Sequence, residues 1–181
     1  MNIEDIAQYY IATPNTELSS SVIRSFRQFI VDLAQVELQG IDCQYVDFVP
    51  YMKGAELCLE DIHADFNQGK LLISTQFNNS DLLGSDVNML FRCIHEVHHL
   101  KLNVDFGLEG EFATAAHIIS LTDNLLFKQL LFSETLGQIS VRICTEKFPD
   151  YQKVILFNSD VLRCLNKDWK FLTPAKSTLK N

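Results

Sequence analysis

The chain has 181 residues, enough for one full-sized core, with 47% hydrophobic and 21% charged residues, which is ordinary for a globular protein. A formal net charge of −8 argues against nucleic acid as a partner, because phosphate binding needs clustered Lys and Arg. The five cysteines, Cys43, Cys58, Cys93, Cys144 and Cys164, are odd in number, widely spaced and without a CxxC pair, which argues against a disulfide framework and for a reducing, cytoplasmic setting.

The N-terminus, MNIEDIAQYY, carries acidic residues where a signal peptide needs basic ones. Residues 2–12 read as a short amphipathic helix ended by Pro14. Ser19, Ser20 and Ser21 offer caps for a long helix over 21–39, in which Val22, Ile23, Phe26, Phe29, Ile30 and Leu33 recur at helical spacing. Gly40 closes it. The stretch 43–51, CQYVDFVPY, reads as an extended connection, and a third helix is expected over 52–67. KLLISTQF (70–77) fits either a short strand or irregular packing, and 78–85 reads as a loop. Ser85 then caps a helix over 86–103, Asp105 to Gly107 turn the chain, and a return helix covers 108–121. A long apolar helix over 123–146 ends near Pro149, and a last one is expected over 159–169. No apolar run approaches the roughly 18–20 residues that span a bilayer, which leaves peripheral membrane contact open. The pattern predicts an all-α fold, a single-domain antiparallel helix bundle over 1–172, followed by a flexible tail at 173–181. A homodimer is compatible with it.

Three of the five histidines fall inside RCIHEVHHL, residues 92–100. With about 100° of turn per residue, His99 lies about 40° from His95 and Glu96 about 100° away, and Asn88, Arg92 and Asn103 share that arc. The rest of the wheel is mostly apolar. One reading lets this polar stripe face water, with Arg92 and Glu96 as an i,i+4 pair and the protein a non-enzymatic helical scaffold without metal. The other lets the stripe face a polar pocket, where imidazoles at i and i+4 both reach one ion. HExxH also occurs in zinc peptidases, with Glu96 as the general base and Glu111 or Glu134 as a third ligand. The extended metzincin pattern fails, because Leu102 and Asp105 stand where it needs Gly and His.

Eleven residues separate His99 from Glu111. That gap fits a last helical turn, a tight reversal at NVDFG and the first turn of a return helix, which would bring Glu111 back beside His99. A carboxylate in a first helical turn is also favoured by the helix dipole. The pattern His95-Glu96-x-x-His99, eleven residues, then Glu111 resembles the coenzyme Q (ubiquinone) biosynthesis family, marked by HDxxH and a Glu at the same spacing. The resemblance covers roughly 85–135, where GLEGEFATAAHI (107–118) is similar to the family's return helix. It implies a helical fold, His95, Glu96, His99 and Glu111 as ligands of a metal, usually zinc, and a hydrophobic, prenylated small molecule as partner. It also implies a link to removal of the ring carboxyl group from a quinone precursor. Glu96 stands where the family has Asp, and its extra methylene makes it either a ligand or a base.

A rival site is suggested by Glu60 and His63, which repeat the ExxH spacing of Glu96 and His99. Two such motifs, with Glu111 and Glu134, are the ligand types of a four-helix di-iron oxidase, so iron is the alternative to zinc. Otherwise Glu60 and His63 form a solvated face. Glu134 and Gln138 lie one turn apart in a strongly apolar helix, where a carboxylate is costly to bury without a cation or donor. His117, about 240° round the helix from Glu111, does not join the same site. His98 points off the stripe, and Cys93 reads as a core thiol.

Overall fold

A computed structural model describes residues 2–54, 56–149 and 151–157; the helix expected at 159–169 and the tail at 173–181 lie outside them. The described residues are mostly helical, with two small pairs of strands. Helix α1 (Ile3–Ala12) begins with a capping box: the Asn2 side chain accepts the Asp5 N–H at 2.8 Å, and the Asp5 carboxylate accepts the Asn2 N–H at 2.9 Å. Ser19 caps α2 (Ser20–Glu37) through the Val22 N–H. Strand β1 (Asp42–Val46) follows, then a minimal antiparallel hairpin of β2 (Met52–Lys53) and β3 (Glu56–Leu57). Helix α3 (Leu59–Asn67) and strand β4 (Lys70–Ser74) precede α4 (Gly84–Leu102) and α5 (Leu108–Ser120). The last helical run is α6 (Leu125–Phe132), a π-helical turn at Ser133–Gly137, and α7 (Gln138–Thr145).

Three of these differ from expectation, each for a local reason. The extended connection at 43–51 contains a true strand: β1 runs parallel to β4, from Asp42 opposite Lys70 to Val46 opposite Ser74. Leu71 and Ile73 bury one face of β4, the alternation that a strand needs. The helix expected over 52–67 starts only at Leu59, because Tyr51 (φ 60°) and Gly54 (φ 69°) take left-handed backbone. Tyr51 is pinned there: its hydroxyl donates to the Asp65 carboxylate at 3.0 Å and accepts the Leu72 N–H at 2.8 Å. The helix expected over 123–146 is interrupted by the π-turn. The hydroxyls of Thr135 and Ser140 donate to the carbonyls of Leu131 and Gly137 around it.

The chain divides into two compact units, residues 18–106 and residues up to 17 with those from 107 onward. In the first unit α2 packs on α4, and Ile62, Leu71, Ile73, Met89, Cys93, Val97 and Leu100 form a shared core. Gly69 (φ 73°) lets the chain enter β4 beside the start of β1, where a Cβ would stand 2.8 Å from the Gly40 carbonyl oxygen. Beneath α4, His98 is fully buried with its Nε2 3.1 Å from the Glu37 carboxylate, and Lys101 donates to the same oxygen at 2.8 Å. Burial works against the charge on Glu37, yet the hydrogen bond and charge of Lys101, with help from His98, hold its carboxyl below the ordinary range.

In the second unit α1 packs on α7, and α5 on α6 and the π-turn. Tyr10 is fully buried, and Gly137 makes room for it: a Cβ at Gly137 would come within 3.0 Å of the Tyr10 ring. The extended segment 152–157 is held by side chains rather than by a sheet. The Tyr10 hydroxyl donates to the Lys153 carbonyl at 3.0 Å and accepts the Lys153 N–H at 2.8 Å. Ser133 does the same between the Lys153 carbonyl and the Ile155 N–H, and Gln129 donates to the Phe157 carbonyl. The Lys153 ammonium donates to the carbonyls of Ile11 and Thr13 at 2.9 Å each, where α1 ends. Among the described residues no helix is long and apolar enough to cross a membrane.

Candidate metal centre

Helix α4 carries the histidine stretch, and its polar stripe is not a solvated face. His99 is fully buried and Asn88 nearly so. The stripe is satisfied by backbone and by its own neighbours. Asn88 donates to the Asn78 side chain at 2.7 Å. Arg92 makes three hydrogen bonds, to the carbonyls of Ser74 (2.8 Å), Gln76 (2.7 Å) and Phe77 (2.9 Å), which clamp the exit of β4. Its guanidinium is thus committed to carbonyl groups, whereas the sequence suggested a simple pair with Glu96. The opposite face of α4 supplies Met89, Cys93, Val97 and Leu100 to the core. Apolar anchoring on one side fixes the rotation of the helix and so the direction of the imidazoles.

The end of α4 sets the tautomer. Asn103 takes a left-handed conformation (φ 53°), and the Val104 N–H returns to the His99 carbonyl at 3.0 Å. This turn carries the Asp105 carbonyl to 2.8 Å from His99 Nδ1. A carbonyl can only accept, so Nδ1 carries a proton, and in the neutral ring Nε2 then presents a lone pair. Phe106 stacks on the same ring with centroids 4.3 Å apart, which holds its plane. Sequence reasoning placed Asp105 in a turn but missed both roles: a backbone carbonyl has no signature in the residue that bears it, and the stacking of Phe106 depends on the path of the turn.

The His95 and His99 Nε2 atoms face one another at 3.1 Å. Two nitrogens bound to one zinc at about 2.0–2.1 Å and a tetrahedral angle lie about 3.3 Å apart, so the rings stand close to the separation that a shared ion requires. Without an ion, an Nε2–H of His95 donates to the His99 lone pair. The ligand atoms of His95, His99 and Glu111 all lie within 4.8 Å of one another. Glu111 sits in the first turn of α5 and is half-buried. Two imidazoles and one carboxylate, with a coordination position left over, are the donor set of catalytic zinc sites and equally of non-haem iron(II). The residues therefore fit a divalent transition metal.

Among the described residues this is the one group of three or more such ligands that converges. Glu96 is half-buried on α4 and lies outside it. Glu60 is exposed in the first turn of α3 with His63 one turn on, and neither joins the group. Glu134 is buried in the π-turn, where Gln138 donates to its carboxylate at 3.2 Å; it too lies outside the group. His117 is half-buried on α5 and outside it. No protein-family model matches the chain, and no curated protein and no solved structure shows significant similarity to it.

Proposed function

We propose that the protein is a metal-dependent helical enzyme in which His95, His99 and Glu111 hold one divalent ion, zinc in the first instance and iron as the alternative. The single observation that supports this most is the 3.1 Å approach of two Nε2 atoms, one of them oriented by the Asp105 carbonyl, with a carboxylate beside them. A surface pair of histidines on a solvated helix has no reason to be fully buried at one ring and fixed at its far nitrogen.

When bound, the ion would act as a Lewis acid on a carboxylate or carbonyl oxygen of the substrate. The chain's own residues set the rest. His99 keeps its proton at Nδ1, so its Nε2 is available as a ligand without a change of tautomer. His95 must give up the Nε2 proton that it shares with His99, so loading releases or relocates a proton. Glu111 lowers the net charge of the site. Glu96, one position from His95 in sequence and outside the converging group, would serve as the base or as a neighbour that orients a ligand. The substrate class, an aromatic quinone precursor with a prenyl chain losing its ring carboxyl group, follows from the resemblance over 85–135 to the ubiquinone-biosynthesis family. Its support here is the motif and the metal-ligand set.

The test is metal content by mass spectrometry of purified protein, in the native chain and in the His95→Ala, His99→Ala double variant. The proposal expects close to one zinc or iron per chain in the native protein and loss of most of it in the variant. Equal metal content in both would reject the site, and two irons per chain lost with Glu60→Ala would favour the di-iron alternative.

A further inference from the structure

The small parallel sheet of β1 and β4 is closed along one edge and open along the other. In a parallel pair, alternate residues turn their N–H and C=O towards the neighbouring strand and the rest turn theirs away. The Asp42 N–H donates to the Gly69 carbonyl and the Thr75 N–H to the Val46 carbonyl, so Asp42, Gln44 and Val46 of β1 face β4. On the far edge of β4, side chains take up the outward groups. The Leu72 N–H donates to the Tyr51 hydroxyl at 2.8 Å, and the Ser74 carbonyl accepts from Arg92 at 2.8 Å. The outward groups of β1 belong to Cys43 and Tyr45, and among the described residues none of these N–H and C=O groups has a hydrogen-bond partner. β1 packs chiefly on β4, and Asp42, Gln44 and Tyr45 are exposed. The strand carries no Lys, no Pro and no bulge, the devices that keep an edge from pairing, and its one charged residue, Asp42, stands at its end.

We propose that β1 pairs antiparallel with β1 of a second copy of this chain, about a twofold axis at Gln44, giving a continuous sheet in the order β4-β1-β1-β4. The open groups select this register. Centred on Gln44, the N–H and C=O of Cys43 meet those of the partner's Tyr45, and the reverse, so every open group finds a partner. Centred on Cys43, Tyr45 would instead face Ile41, whose N–H is already given to the Leu38 carbonyl. Centred on Tyr45, Cys43 would face Asp47, whose carbonyl already accepts from Gln76 at 2.8 Å. The Gln44 register also sets Asp42 opposite Val46, so no like charges stand face to face. It lays the exposed Tyr45 ring beside the partner's Cys43. A twofold contact closes on itself, and the outer edges of the joined sheet are the ones that Tyr51 and Arg92 already cover. A second copy therefore removes the last open edge of the sheet and creates no new one. The pairing does not depend on an ion being bound.

The test follows the full native chain by sedimentation equilibrium from micromolar to near-millimolar concentration, with amide hydrogen exchange read by nuclear magnetic resonance at both ends of that range. The expected result is a mass that rises to twice that of the chain. The Cys43 and Tyr45 amides should exchange more slowly in the concentrated sample, with little change at Gln44, whose amide already faces β4. This readout needs no variant to fold. Tyr45→Pro removes an outward N–H and none of the bonds to β4, and should weaken association by about tenfold or more. Tyr45→Ala keeps that N–H and should associate more tightly than Tyr45→Pro, which separates loss of the bond from loss of the ring. A chain that stays monomeric throughout, a dimer in which the Cys43 and Tyr45 amides exchange as fast as in the dilute sample, or Tyr45→Pro associating as tightly as Tyr45→Ala would each overturn the proposal.

Discussion

Replacing Glu37 by Gln should destabilise the unit of residues 18–106 in a pH-dependent way. The carboxylate accepts from fully buried His98 at 3.1 Å and from Lys101 at 2.8 Å, and its own side chain is 15% exposed. The amide keeps the shape and one acceptor but removes the charge. Lys101 is 43% exposed, so its share is worth at most about 1 kcal/mol. The bond to the His98 ring, out of water, is worth roughly 1–2 kcal/mol more when its partner is charged. The sum, about 1–3 kcal/mol, corresponds to a fall in Tm of roughly 2–10 °C for a chain of this size. The sign with pH follows from the depressed carboxyl. Its stabilisation is fully present above the ordinary glutamate value of 4.5 and is lost as pH falls through the lower folded value. Thermal melts followed by circular dichroism from pH 7 to pH 3 should therefore show a gap between native and E37Q protein that is constant near neutrality and closes below pH 4.5. A gap absent at pH 7, or one that stays constant down to pH 3, would mean that the Glu37 charge does not stabilise this unit.

Tyr10→Phe removes the hydroxyl that holds both backbone groups of Lys153 and leaves them without it; a loss of about 1–3 kcal/mol in urea unfolding and faster proteolysis at 152–157 are expected. Gly137→Ala drives a methyl group to 3.0 Å from the Tyr10 ring and should cost about 1–3 kcal/mol in the same assay. Arg92→Lys cannot span the carbonyls of Ser74, Gln76 and Phe77 with one ammonium, so hydrogen exchange at residues 74–77 should speed up while α5 to α7 are unaffected.

Helix positions were legible wherever a cap and a periodic apolar face coincided. Ser19 and the Phe26–Ile30 spacing placed α2 to within about two residues of its expected ends, and the turn after Asn103 was placed from the residues around it. The strands were less legible because a parallel pair needs a distant partner: β1 is ordered by β4, and only the burial of Leu71 and Ile73 gives that register meaning. The π-turn had no signal of its own. The sequence noted that Glu134 is costly to bury without a cation or donor, and the structure supplies Gln138 as a donor, while Tyr10 packs closely on Gly137 at the end of the turn. At the candidate centre the residue types and their spacing could be read, since i,i+4 imidazoles and a carboxylate eleven residues later is a pattern of positions. What could not be read was the burial of His99, its bond to a backbone carbonyl and the commitment of Arg92 to the β4 exit. All three depend on where the chain turns.

Anomalous scattering from one crystal grown with added zinc, scanned across the zinc and iron absorption edges, tests the metal site most directly. One peak is expected within about 2.0–2.2 Å of His95 Nε2, His99 Nε2 and a Glu111 oxygen. No peak there, or a strong peak at Glu60 and His63 with the His95–His99 pair still hydrogen-bonded ring to ring, would contradict it.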